Sequence, residues 1–138
     1  MSLAHVRLLE LPNIEDDRGI LTAMEACIDV PFEIRRVFFL HGVRAPRGGH
    51  AHRSSRQLLV PVAGSFRLEV SDAGNTESYQ LAEPHRGLYI PPLIWAHLDS
   101  FSANAVCLVL TDTPFDQDEY IREWDEFVAL SRASRGAA

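Results

Sequence analysis

The sequence predicts an all-β domain, a sandwich or barrel, closed by one α-helix at its C-terminus. Three observations carry this expectation. Short β-rich segments recur between turn residues, Phe66, Leu68 and Val70 alternate with Arg67 and Glu69 as on a half-buried strand, and helical periodicity is confined to the end. In chain order, residues 34–40 form an aromatic and β-branched run, and His50-Ala51-His52 is a strand if its imidazoles are to share a face. Residues 57–62 read as a strand, apolar from Leu58 onward, and 65–70 alternate and leave through the turn Asp72-Ala73-Gly74-Asn75. Shorter strands are expected at 78–81 and 88–90, and a longer one at 104–111. Asp116 and Glu119 have capping-box spacing, with Asp for the usual Ser or Thr. Tyr120, Ile121, Trp124, Phe127, Val128 and Leu130 then predict a helix packed on the barrel. Residues 131–138 lack an apolar pattern and are expected to fray, leaving 1–130 as a single domain.

A chain of 138 residues is one ordinary domain, large enough to bury its apolar surface without disulfides or structural metal. Met1-Ser2-Leu3-Ala4-His5 lacks a basic start followed by an apolar core, and no apolar run approaches the roughly 20 residues that cross a bilayer. A soluble cytoplasmic protein without a membrane partner is expected. Of the two cysteines, Cys27 and Cys107, the second lies in an apolar run that suits a buried reduced thiol. The net charge of −6 argues against nucleic acid, which requires a broad basic surface.

Charge is nevertheless uneven. From Ile34 to Leu68 there is no acidic residue, while Arg35, Arg36, Arg44, Arg47, Arg53, Arg56 and Arg67 all fall there. The chain has no lysine, so each of these is a planar guanidinium able to grip phosphate or carboxylate oxygens bidentately. Inside this segment lies Gly48-Gly49-His50-Ala51-His52, with Gln57 five residues on and Gly64 seven later. Two imidazoles on one strand face suit either metal binding or proton transfer on one small, anionic molecule.

This spacing resembles the first motif of the cupins, with Gln57 where that motif has Glu. A degraded second motif follows at Gly87-Leu88-Tyr89-Ile90-Pro91-Pro92-Leu93-Ile94-Trp95-Ala96-His97, where His97 stands five after Pro92, as in metal-binding cupins, and Ile94 replaces a glycine. The resemblance implies a cupin jelly-roll barrel with a ligand cavity at its mouth.

Asp17-Arg18-Gly19, Pro31-Phe32-Glu33-Ile34-Arg35-Arg36-Val37, Arg47 to His52, Gln57-Leu58-Leu59, Gly64-Ser65, Gly87 to Trp95, Phe101-Ser102 and Tyr120-Ile121-Arg122 extend the match in order. From about Leu9 to Leu130 the chain resembles the nucleotide-sugar 3,4-ketoisomerases, which act on dTDP-4-keto-6-deoxyglucose. That resemblance implies a sugar isomerase of deoxyamino-sugar biosynthesis and a homodimer with exchanged N-terminal strands. His50 and His52 would move protons without a cofactor. It further implies that Arg18, Arg35 and Arg36 hold the diphosphate and that Phe39 or Trp95 offers a face to base or sugar. Arg47 and Gln57 are candidates to stabilise developing charge on the sugar oxygens. The chain departs from the family in having Phe38 and Phe39 where tyrosines are frequent, Arg53 for lysine, and His97 for glutamate. Two alternatives follow: a metal-dependent cupin binding Fe, Mn or Zn through His50, His52, Gln57 and His97, and a sugar-nucleotide binding module without catalysis.

Overall fold

The computed structural model describes residues 2–136. After a 3-10 turn at Leu3–His5 come β1 (Arg7–Glu10) and the hairpin strands β2 (Asn13–Asp16) and β3 (Gly19–Thr22). They are followed by β4 (Arg36–Leu40), β5 (Arg47–His52), β6 (Gln57–Ala63), β7 (Phe66–Ser71), β8 (Thr76–Leu81) and β9 (Arg86–Ile90). The chain ends with β10 (Trp95–Asp99), β11 (Val106–Thr111), a 3-10 turn at Gln117–Glu119, β12 (Tyr120–Ile121) and α1 (Trp124–Gly136). The strands build two five-stranded sheets, ordered β1-β9-β6-β11-β4 and β12-β5-β10-β7-β8, while β2 and β3 pair only with each other. Every pairing between these strands is antiparallel, giving the jelly-roll sandwich with a C-terminal helix that the sequence predicts.

Between the sheets, Leu59, Leu88, Ile90, Cys107 and Val109 meet Phe66, Leu68, Val70 and Leu98. The opposite face of β6 is buried too. Leu58 and Val60 pack with Val30 and Phe32 from the segment between β3 and β4. Burial on both faces is why residues 58–62 read as a continuous apolar run instead of an alternation. A third cluster joins Ala51 of β5, Ile121 of β12 and Phe127 of α1, all fully buried, and fixes the helix on the outside of the second sheet. Gly48 has φ +84° where β5 and β10 shift register, and a Cβ there would lie 2.8 Å from the Ala96 carbonyl oxygen. Only glycine fits this bulge.

The C-terminal segment differs from the sequence expectation at both ends. Asp116 does act as a cap, accepting from the Asp118 amide, but it caps the 3-10 turn. Tyr120 and Ile121 pair with His52 and Ala51, and the helix starts only at Trp124. At the far end the frayed tail expected from residue 131 is corrected to helix through Gly136. Ser131 is fully buried and donates to the Asp72 carbonyl oxygen at 3.0 Å, and Arg135 donates to the same oxygen at 3.2 Å. Polar groups hold this last turn, so hydrophobic periodicity does not reveal it. Ala137 and Ala138 of the expected tail, and Met1 of the opening segment, lie outside the described residues. No helix among the described residues is long and apolar enough to cross a membrane.

Both cysteines are free, Cys27 exposed and Cys107 buried. Burial pushes the Cys107 thiol up to about 12. Thiolate is the reactive form. Alkylation of the native protein by iodoacetamide, read by mass spectrometry, is expected to modify Cys27 alone, with Cys107 reacting only after unfolding.

Candidate active site

β5 enters the space between the sheets with alternating side chains. Ala51 points to the helix, so His50 and His52 point to the interior, their ring centroids 5.2 Å apart and nearly perpendicular. They line a cavity of about 230 Å³. From β4 come Phe38 and Leu40, from β5 Arg47, from β6 Gln57 and Leu59, from β10 Ala96 and Leu98, and from the C-terminal segment Phe115, Tyr120 and Arg122. Its lining contains no carboxylate.

The electrostatics follow from this enclosure. Burial depresses the pKa of His50, and the Arg122 and Arg47 charges add to the effect against a backbone hydrogen bond at Gly48. Burial takes His52 further, down to about 4, with neighbouring His50, Arg36 and Arg122 acting the same way and Glu119 opposing them. Both imidazoles are therefore neutral near pH 7, in the form that accepts a proton.

Glu119 faces away from the cavity and ties the turn after the histidines. It accepts from the amides of Ser54 and Ser55, the latter at 2.6 Å, and from the Ser54 hydroxyl. Arg53 is tied to the same segment, donating to the Asp118 carbonyl oxygen at 2.9 Å and to Glu126 at 2.7 Å. The turn between β5 and β6 is thus pinned to the C-terminal segment.

Of the residues singled out in the sequence, His50, His52, Arg47 and Gln57 converge on the cavity, and Arg36 packs against three of its lining residues. The Arg36 guanidinium lies over the rings of Phe38 and Phe115, at 4.6 and 5.2 Å, and reaches the Tyr120 hydroxyl. Four others lie elsewhere within this chain, Arg35 being exposed just before β4. Phe39 alternates with Phe38, so it is exposed and packs against His41. Trp95 faces outward and packs on Trp124 and Phe127. Arg18 pairs with Asp16 in the β2–β3 hairpin.

The four-ligand metal alternative is also corrected. Ala96 and Leu98 line the cavity, so His97 between them faces the outer surface, 3.6 Å from Asp99 and opposite Glu69. Two imidazoles and one amide remain, and no group of three or more His, Cys, Asp or Glu among the described residues is arranged to hold a metal ion. The donors do not fit Fe, Mn or Zn held in this way. Tyr120 and Arg122 are the site residues that sequence reasoning missed. Their signal was the Tyr120-Ile121-Arg122 match, which the helical periodicity of the following residues obscured.

The family model described as FdtA, WxcM-like, C-terminal matches residues 4–132. This chain belongs to the FdtA/WxcM-like family of 3,4-ketoisomerases. Within that family it is 35% identical over 123 residues, 88% of each chain, to the TDP-4-oxo-6-deoxy-α-D-glucose 3,4-oxoisomerase of Aneurinibacillus thermoaerophilus. The structure of the sugar 3,4-ketoisomerase QdtA from Thermoanaerobacterium thermosaccharolyticum, in complex with TDP, superposes with a TM-score of 0.93. That match has 33% identity and covers 96% of this chain and 98% of QdtA. A QdtA variant has also been solved with TDP-4-keto-6-deoxyglucose. WlaRB, a TDP-quinovose 3,4-ketoisomerase from Campylobacter jejuni, is 38% identical with a TM-score of 0.87, covering 91% of this chain and 98% of its own. The FdtA/WxcM-like cupin fold thus extends over nearly the whole chain.

The depressed His52 pKa has a consequence for stability. Below about 6.5 the unfolded chain binds a proton that native His52 refuses until about 4, so folding stability falls as pH drops through that window. The loss is on the order of 3 kcal/mol from this group. Urea denaturation at stepped pH is expected to show it, and a His52→Gln variant is expected to flatten the slope.

Proposed function

We propose that the protein is a cytoplasmic, homodimeric enzyme moving the ketone of a dTDP-linked 4-keto-6-deoxyhexose from C4 to C3, on a route to a deoxyamino sugar. The observation that carries this reading is the pair of neutral imidazoles, His52 buried and His50 half-buried, side by side in a cavity whose other polar groups are an amide, a phenol and guanidinium groups. Such a set accepts and returns protons while leaving developing negative charge attractive partners. Relatives that bind TDP and TDP-4-keto-6-deoxyglucose support the substrate class.

The C4 carbonyl acidifies the hydrogen on C3. One imidazole takes that proton, the C–H electron pair becomes the C3–C4 double bond, and O4 gains a proton to give an enediol. The O3–H bond then breaks, C3 becomes the carbonyl carbon, and C4 is protonated. Two protons leave the sugar and two return, so the histidines end as they began and no electron acceptor is required. Gln57 and Arg47 serve as donors to the oxygens while charge develops there. The cavity takes the sugar ring. The nucleotide remains near the mouth, where guanidinium groups meet the diphosphate.

Two features support a dimer with exchanged N-terminal strands. The β2–β3 hairpin joins neither sheet of its own chain and exposes Ile14, Ile20 and Leu21. Strand β4 is an open sheet edge bearing exposed Val37 and Phe39. A second copy's hairpin covers that edge.

Proton NMR of the protein with dTDP-4-keto-6-deoxyglucose in deuterated buffer is expected to show loss of the C3 proton and a 3-keto product carrying deuterium at C4. His50→Asn and His52→Asn are each expected to cut turnover by about 10²-fold or more with the fold retained; near-normal turnover in both would sink the histidine assignment. Light scattering is expected to give twice the chain mass, and Ile14→Asp with Ile20→Asp to shift it towards the monomer.

A further inference from the structure

His52 has an unusual setting for a group that must present a defined nitrogen to a substrate. Both of its ring nitrogens are buried without a hydrogen-bond partner in the protein. Ring orientation in such a residue is ordinarily fixed by a hydrogen bond to one nitrogen, which also selects the tautomer. Packing must do the work here. The group that packs on it is Tyr120, which lies opposite His52 in the β12–β5 register and so projects onto the same face. Its ring centroid is 4.6 Å from that of His52 and 4.9 Å from that of His50, so one aromatic surface contacts both imidazoles.

Tyr120 is itself held from two sides. The Arg122 guanidinium stands 4.7 Å from its ring centroid, and Arg36 donates from Nη2 to its hydroxyl at 3.4 Å. Arg36 comes from the opposite sheet and is sandwiched by Phe38 and Phe115, so this anchor spans the two walls of the sandwich. Its Nε is buried without a protein partner, so the hydrogen bond from Nη2 to Tyr120 is what the guanidinium makes here.

We propose that Tyr120, anchored through its hydroxyl by Arg36, is the positioning residue that fixes the orientation of both His50 and His52 for proton transfer. The inference rests on the histidine reading above. Tyr120 acts through the imidazoles, so its loss lowers kcat with little change in KM. Its ring also excludes water from His52, whose titratable and charged neighbours are His50 on β5, Glu119 and Arg122 around β12, and Arg36 on β4.

The test compares Tyr120→Leu, Tyr120→Phe, Arg36→Gln and the Tyr120→Phe/Arg36→Gln double variant with dTDP-4-keto-6-deoxyglucose, alongside NMR titration of the histidine rings in the free protein. Tyr120→Leu is expected to lose about 100-fold in kcat with KM within about threefold, the scale of a misplaced catalytic group. Its His52 midpoint rises by about one unit or more as water enters. Tyr120→Phe keeps the ring and loses only the anchor, so it and Arg36→Gln each lose about three- to tenfold, and the double variant loses no more than either, because both remove one interaction. A folded Tyr120→Leu protein with kcat within threefold of the parent, or an effect confined to KM, overturns the proposal. Multiplying losses in the double variant overturn the anchor, and this arm stands even where Tyr120→Leu does not fold. If His50→Asn and His52→Asn remain active in the same assay, the histidine reading fails; if they are inactive while the Tyr120 variants are normal, only the positioning role fails.

Discussion

The site depends on β5 being held between two strands that force its side chains to alternate. Ala51 is small and fully buried against Ile121 and Phe127, so the strand cannot rotate without driving a histidine into that cluster. A one-residue slip of register would exchange Ala51 with an imidazole and leave a polar ring in an apolar layer. The bulge at Gly48, where β10 shifts against β5, fixes the register from the other side. Both imidazoles face the cavity because the residue between them has somewhere better to go.

Around this strand the charges are sorted by direction. Guanidinium groups of Arg47 and Arg122 line the cavity, while the nearest carboxylate, Glu119, turns the other way and is consumed by the amides of the β5–β6 turn. The same acid fastens the turn and stays out of the pocket. Its pKa is held down by the hydrogen bonds from Ser54 and Ser55, which outweigh burial. The interior is therefore positive at its guanidinium groups and uncharged at its histidines, the electrostatics on which the proposed function draws.

Much of this was legible from residue order. The His50-Ala51-His52 spacing placed the pair, the 65–70 alternation gave β7, and the apolar runs at 58–62 and 105–110 gave two neighbouring strands of the first sheet. Three things were not. A two-residue strand such as β12 has no period to detect, and Tyr120 and Ile121 fit the phase of the helix that begins after them. The inward choice between Phe38 and Phe39 depends on which neighbour β4 meets, since both are aromatic. His97 stands at motif spacing, yet its strand is paired so that Ala96 and Leu98 take the inner face. Motif spacing records distance along a chain, whereas ligation needs a side chain on the correct face.

The order in which the chain is made adds a last consequence. Strand β5 is flanked by β10 and β12, and both follow it in the sequence. During synthesis the histidine strand emerges with neither neighbour, and two edges of backbone hydrogen-bonding groups stay unpaired until β10 and β12 follow. A nascent or prematurely ended chain therefore holds both histidines and no pocket. The site comes into being only once β10 and β12 have joined the strand that carries the histidines.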